Sequence, residues 1–342
     1  MAERKEGFLY DAGCDSFVDW VVTSLWCRVW SGRISSDDKS KGTEMKRKLL
    51  FRGTATALVT PFKKDGAVDE PTLRDLVDLQ IKGKVEALVP VGSTGEGATL
   101  SDAEQAQVIE IVVDQANGRV PVIAGASSNA TMKAVALAKQ AKSAGADALL
   151  SVVPFYNKPT QEGIIQHFDA IADVVELPIV VYNVPGRTAS NIEASTALRM
   201  ADENPFIVGI KEASANIGQI MEILRNRPAG FGVWSGDDNL TLPLVALGAD
   251  GIISVISNEI PRQFSDMVRF ALKGKWEKAR ELHYVLLPLM NVNFVESNPI
   301  PVKAAMAMMG LIEENYRLPL LQLSDAVRPK LEKVLKDLKL IS

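Results

Sequence analysis

From residue 53 onward, short apolar and β-branched runs alternate with longer segments whose apolar residues recur every three or four positions. The runs fall at 54–60, 86–91, 120–125, 148–153, 178–183, 206–211, 232–235 and 251–255. Most are continuous, as in Pro178-Ile179-Val180-Val181-Tyr182, and continuous runs mark parallel strands covered on both faces. The segments between them read as amphipathic helices. Leu73, Leu76, Val77, Gln80 and Ile81 make one stripe, and Val135, Leu137, Ala138 and Ala141 make another. Helix entries are marked too. Ser101-Asp102-Ala103-Glu104 has the form of a capping box, and Thr160 opens the helix after the fourth strand. Gly145-Ala146-Asp147 and Gly248-Ala249-Asp250 each end a helix, with glycine at the left-handed cap position.

Eight strand–helix units of this kind close into a (β/α)8 (TIM) barrel of about 250 residues. The alternative is an open doubly wound sheet. That fold announces itself with a glycine-rich turn after the first strand, whereas here the strand runs into Val59-Thr60-Pro61-Phe62 and no P-loop occurs. From about Asn258 the chain is expected to be helical throughout, giving the eighth barrel helix and a small C-terminal helical domain. The expected division is an extension at 1–44, the catalytic barrel at 45–272 and the helical domain at 273–342.

Composition narrows the function classes. The chain has 342 residues, a net charge of −4 and 47% hydrophobic residues, ample for a large core. Its charge is spread out, with no basic stripe of the kind that holds nucleic acid. Two histidines, His167 and His283, and two cysteines, Cys14 and Cys27, lack metal-ligand spacing, so no protein-built metal site is expected. So few cysteines fit a reducing, cytoplasmic setting. No window has the ~18 uninterrupted apolar residues of a membrane span, and Glu3, Glu6 and Asp11 argue against a secretory or transit signal. Residues 1–44 look foreign to the rest: they hold both cysteines and Trp20, Trp26 and Trp30, and end in a polar run. They read as a non-native or disordered extension with Met45 as the working start; an amphipathic docking helix built on Phe17, Val21, Leu25 and Val29 is the other reading.

In such barrels the chemistry lies at the C-terminal ends of the strands. Strand two ends in Gly92-Ser93-Thr94-Gly95-Glu96, and strand four in Pro154-Phe155-Tyr156-Asn157. Strand five ends in Tyr182-Asn183-Val184-Pro185-Gly186-Arg187-Thr188, and strand six in Gly209-Ile210-Lys211-Glu212. Strand seven leads into Ser235-Gly236-Asp237-Asp238, and strand eight is Gly251-Ile252-Ile253-Ser254. Lys211 closes an apolar strand, where desolvation would favour the neutral amine that attacks a ketone. Snorkelling to solvent, or pairing with Glu212, is the alternative. Tyr182 ends the neighbouring strand and could shuttle protons during imine formation. The Gly-Ser-Thr-Gly turn offers hydroxyls and backbone N–H groups to a carboxylate, and the fork of Arg187 suits a second one. Asp237 and Asp238 disfavour a phosphate after strand seven.

Together these motifs, with Ala57-Leu58-Val59-Thr60-Pro61-Phe62 and Gly209-Ile210-Lys211-Glu212-Ala213-Ser214, resemble the dihydrodipicolinate synthase family. That family lies within the pyruvate-dependent class I aldolase superfamily that includes N-acetylneuraminate lyase. The resemblance runs from about Gly53 to the C-terminus. It implies condensation of pyruvate with L-aspartate 4-semialdehyde, without metal or organic cofactor, in a homotetramer built as a dimer of dimers. It implies an imine on Lys211, proton transfer by Tyr182, and a relay through Ser93 and a Tyr156 supplied by the neighbouring subunit. Thr94, Ile253 and Gly236 would line the pyruvate site, and Arg187 would anchor the semialdehyde carboxylate. Ser93 departs from the family's usual threonine, and Phe155 from a frequent tyrosine. In lysine-regulated relatives an effector site lies at the tight dimer interface; its glutamate position falls on Lys133, its histidine positions on Asp102 and Gln105, and its tyrosine position on Phe155. Two rivals stay open: an aldolase for a sugar acid or hydroxyoxoglutarate, which would want neutral partners in place of Arg187, and a non-catalytic paralogue.

Overall fold

The computed structural model describes residues 47–342. What the sequence suggests for 1–44, including the stripe of Phe17, Val21, Leu25 and Val29, lies outside the described residues. Eight strands alternate with helices as expected. The strands are β1 (Gly53–Ala57), β2 (Ala87–Val89), β3 (Ile123–Gly125), β4 (Ala148–Val152), β5 (Ile179–Asn183), β6 (Ile207–Glu212), β7 (Gly232–Ser235) and β8 (Gly251–Ser254). The helices are α1 (Glu70–Lys82), α2 (Asp102–Ala116), α3 (Thr131–Ser143), α4 (Gln161–Val175), the single turn α5 (Pro185–Thr188), α6 (Ala194–Glu203), α7 (Ile217–Asn226), α8 (Thr241–Ala246), α9 (Pro261–Leu272), α10 (Trp276–Val292), α11 (Ile300–Met308) and α12 (Arg328–Asp337). The sheet order is β2-β1-β8-β7-β6-β5-β4-β3, every pair parallel. A parallel bridge between Leu88 and Val122, with Gly125 N donating to Pro90 O at 2.9 Å, closes β2 onto β3.

Local chemistry sets these elements. The capping box forms: Ser101 Oγ accepts from Glu104 N while the Glu104 carboxylate accepts from Ser101 N. Thr160 caps α4 through Gly163 N. Gly145 (φ 87°) and Gly248 (φ 107°) take the left-handed conformation just past α3 and α8. Gln80, on the apolar face of α1, is fully buried because Thr56 Oγ1 donates to its Oε1 at 2.8 Å, which ties the helix to β1.

The barrel interior is filled by alternate strand residues. Ala55, Ala57, Ala87 and Ala148 are small, and Trp234 takes the space they leave. Its ring stacks on Phe51 with centroids 4.7 Å apart and closes the N-terminal mouth. A Cβ on Gly232 would come within 2.2 Å of that ring, so glycine is required there. Trp234→Ala would cost about 3–5 kcal/mol through the cavity it leaves. A second apolar layer lies between strands and surrounding helices, and a third joins α9, α10, α11 and α12. The tail departs from the continuous helix read in the sequence. Residues 293–299 and 309–327 are irregular, since Gly310 (φ 74°) ends α11 and Pro319 follows.

Candidate active site

The register of β5 on β6 pairs Tyr182 with Lys211, so both side chains leave the same face of the sheet into the barrel mouth. Lys211 Nζ lies 4.4 Å from the Tyr182 ring centroid. Both residues are buried, Lys211 at 5% exposure. Desolvation pulls the Lys211 amine down to about 8; Asp237 and Asp238 oppose that shift and Arg187 assists it. Burial pushes the Tyr182 phenol well above its ordinary value, with Arg187 pulling the other way, so its hydroxyl keeps its proton and can donate it.

The alternation that turns Lys211 inward turns Glu212 away. Its carboxylate accepts from Asn183 Nδ2 at 2.5 Å and from Ser214 Oγ at 2.9 Å, so its hydrogen bonds are met without Lys211. Burial raises its carboxyl to about 7. Neither Glu212 pairing nor solvent takes the lysine.

Lys211 opens into a cavity of about 140 Å³. Ser93, Thr94, Tyr182, Arg187, Gly236, Asp237 and Asn298 also line it, with Val89, Leu150 and Val255 as apolar wall. This is below the ~300–1,000 Å³ of drug-sized sites, so the chamber suits a small substrate. An outer cavity of about 340 Å³ adjoins it, and Ser93, Tyr182, Arg187 and Asn298 line both. A Cβ on Gly236 would lie 2.6 Å from Ala213 Cβ and 3.0 Å from Lys211 Cε, so glycine leaves the lysine its path. Ser93 is exposed and Thr94 buried. Two expected residues stand apart. Ile253 is fully buried in the barrel interior and does not line the inner cavity, whereas Val255 does. Tyr156, expected to serve the neighbouring subunit, takes φ 72°, is 87% exposed and lines neither cavity of its own chain.

Sequence reasoning missed the C-terminal contribution. Asn298 Nδ2 donates to Thr94 Oγ1 at 2.9 Å, and its backbone carbonyl accepts from Arg187 Nη2 at 3.2 Å. Lys303, on α11, is fully buried; its Nζ lies 2.5 Å from Glu96 Oε1 and donates to Thr60 O at 3.1 Å. These contacts hold the strand-two turn and the rim arginine from outside the barrel. Asp238, fully buried behind Asp237, accepts from Ser254 Oγ at 2.6 Å and Ile256 N at 3.0 Å, and burial raises its carboxyl to about 6. Among the described residues no cluster of histidine, cysteine, aspartate or glutamate is placed to hold a metal ion, and no helix is long and apolar enough to cross a membrane.

A buried, readily deprotonated lysine at the end of strand six, a phenol against it and a guanidinium at the rim define a (β/α)8 enzyme of the class I aldolase type. Residues 50–338 match the Dihydrodipicolinate synthetase family, and the chain belongs to that family. The 4-hydroxy-tetrahydrodipicolinate synthase of Koribacter versatilis (strain Ellin345) is 55% identical over 287 residues, which span 84% of this chain and 95% of its own length. The crystal structure of dihydrodipicolinate synthase from Aquifex aeolicus is 46% identical with a TM-score of 0.83, covering 85% of this chain and 99% of that one. A structure described as the first monomeric dihydrodipicolinate synthase variant is 44% identical with a TM-score of 0.84, covering 85% and 98%.

Proposed function

We propose that the chain is a lyase that condenses pyruvate with L-aspartate 4-semialdehyde to give 4-hydroxy-tetrahydrodipicolinate, a step of lysine and diaminopimelate biosynthesis. The observation that carries this is the Lys211 amine, lowered by burial and lying against Tyr182 in a chamber sized for a small keto acid. Lys211 attacks C2 of pyruvate. Tyr182 protonates the carbinolamine oxygen, water leaves, and an imine forms. Loss of a C3 proton gives the enamine, whose C3 attacks the aldehyde carbon. The amino group of the semialdehyde then adds to the imine carbon, closes the ring and expels Lys211. The chemistry calls for neither metal nor organic cofactor.

Thr94 and Gly236 face the keto acid in the inner chamber, and Ile253 backs it from the barrel interior. Arg187, reaching both cavities, anchors the carboxylate of the semialdehyde in the outer one. A sugar acid would meet the Arg187 guanidinium where it needs neutral hydroxyl partners. Ser93 keeps a hydroxyl at the boundary of both cavities, so a relay through it to Tyr182 survives the loss of the usual threonine methyl. The exposed Tyr156 suits donation to a neighbouring copy, within a homotetramer of two tight dimers. We place the reaction in the cytoplasm, and divide the chain into an extension at 1–44, the barrel at 45–272 and a helical domain at 273–342.

Trapping tests the mechanism. Incubation with pyruvate and borohydride should add one reduced pyruvate to the peptide containing Lys211. Lys211→Ala should abolish both labelling and turnover with pyruvate and aspartate semialdehyde. Labelling at another residue, or none, would refute the reading.

A further inference from the structure

The proposed function assigns the Thr94 hydroxyl to the keto acid, and the role of Asn298 rests on that assignment. A hydroxyl carries one proton and two lone pairs and rotates freely unless a partner fixes it. Asn298 Nδ2 reaches Thr94 Oγ1 at 2.9 Å, and both residues are buried, at 6% and 3% exposure. An amide N–H only donates, so the bond occupies an acceptor site on Oγ1 and leaves the hydroxyl proton to point elsewhere. The inner cavity, which Thr94, Asn298 and Lys211 line together, offers that proton a direction toward a bound keto acid. Asn298 comes from neither strand nor barrel helix; it sits in the irregular segment between α10 and α11. Its backbone carbonyl separately accepts from Arg187 Nη2 at 3.2 Å. One residue therefore serves the two ends of the site through two different groups.

We propose that Asn298 is a positioning residue whose side-chain amide orients the Thr94 hydroxyl to donate to the carboxylate of the bound keto acid. The division of labour makes this testable, because a side-chain substitution removes the bond to Thr94 and keeps the carbonyl that holds Arg187. Asn298→Ala should raise the KM for pyruvate about tenfold, the worth of one oriented hydrogen bond to an ion. The KM for aspartate semialdehyde should stay within about twofold, and Lys211 should still be fully labelled by borohydride at saturating pyruvate. In a Thr94→Val background, where there is no hydroxyl to orient, the same substitution should add less than about a further twofold. Asn298→Leu, close to asparagine in shape, gives the same comparison should the alanine variant not fold. A parallel rise in both KM values, or an undiminished pyruvate effect in the Thr94→Val background, would overturn the proposal and leave Asn298 a packing residue. A wild-type chain that pyruvate does not label at Lys211 would overturn the proposed function and this inference together, and that control is read first.

Discussion

The reactivity of Lys211 is set by two opposed effects, burial and the Asp237 carboxylate, and removing one of them has a signed consequence. Burial brings the amine to about 8 from an ordinary 10.5. At pH 7 about one amine in eleven is then neutral, against about one in three thousand for an exposed lysine, a gain of roughly 300-fold in the attacking form. Asp237 lines the same cavity and is the largest charge holding the ammonium on; Asp238 acts in the same sense and Arg187 against it. Asp237→Asn removes that anion, so the Lys211 value should fall further. The rate of imine trapping should follow the neutral fraction, rising with pH and levelling above the Lys211 value. The variant should therefore trap faster than wild type below about pH 7.5 and match it on the plateau. The assay is the initial rate of pyruvate incorporation under cyanoborohydride, from roughly pH 5.5 to 9.5, read as mass added to the intact chain. A wild-type midpoint near that of an ordinary lysine would refute the burial argument. A midpoint that moves upward in Asp237→Asn would refute the assignment of Asp237 as the opposing charge.

Three more outcomes are expected from groups around the site. Lys303→Met strands the Glu96 carboxylate in a fully buried position, so denaturant unfolding should show a loss of about 3–5 kcal/mol, partly restored by adding Glu96→Gln. An unchanged midpoint would mean that the ion pair is not formed. His167 is buried, and desolvation lowers its imidazole to about 4 from 6.5, so the native state holds it neutral while the unfolded chain takes up a proton. Stability is thus lost as pH falls below the unfolded value, by about 2 kcal/mol between pH 7 and 5, and His167→Gln should remove that part of the acid sensitivity in thermal unfolding. Free lysine should inhibit weakly if, as the family resemblance implies, Lys133 falls at the glutamate position of regulated relatives, where its ammonium pairs with Asp102. Half-inhibition below about 1 mM, an affinity near −4 kcal/mol, would show a working effector site.

The barrel was legible because each strand leaves a local mark. A run of Ile and Val residues buried on both faces has no polar partner to accommodate, so it stands out against amphipathic helices over a few residues. The same locality exposed Lys211 and Tyr182, polar groups that end apolar runs, and the pairing of those runs then brings them together. Tyr156 is different. No local pattern tells whether a tyrosine after strand four enters its own chain's cavity or leaves it; here it takes a left-handed backbone and is exposed. Asn298 and Lys303 meet their partners 204 and 207 residues earlier in the chain, so no window contains both ends of either contact. Reading the tail as helical hid them further, because a polar residue in a helix passes for its solvent face. Yet Lys303 carried a usable signal. It stands in Ile300-Pro301-Val302-Lys303-Ala304-Ala305-Met306, a stretch apolar on every side, where a helix has no wet face to offer it. A lysine so placed is buried and must find an anion or give up its proton, and the second outcome is the one that singles out Lys211 at the end of its strand. The two lysines diverge only in what burial supplies. Burial lowers both amines, but Lys303 has the Glu96 carboxylate at 2.5 Å to hold its proton, whereas Lys211 makes no such ion pair among the described residues and falls to about 8.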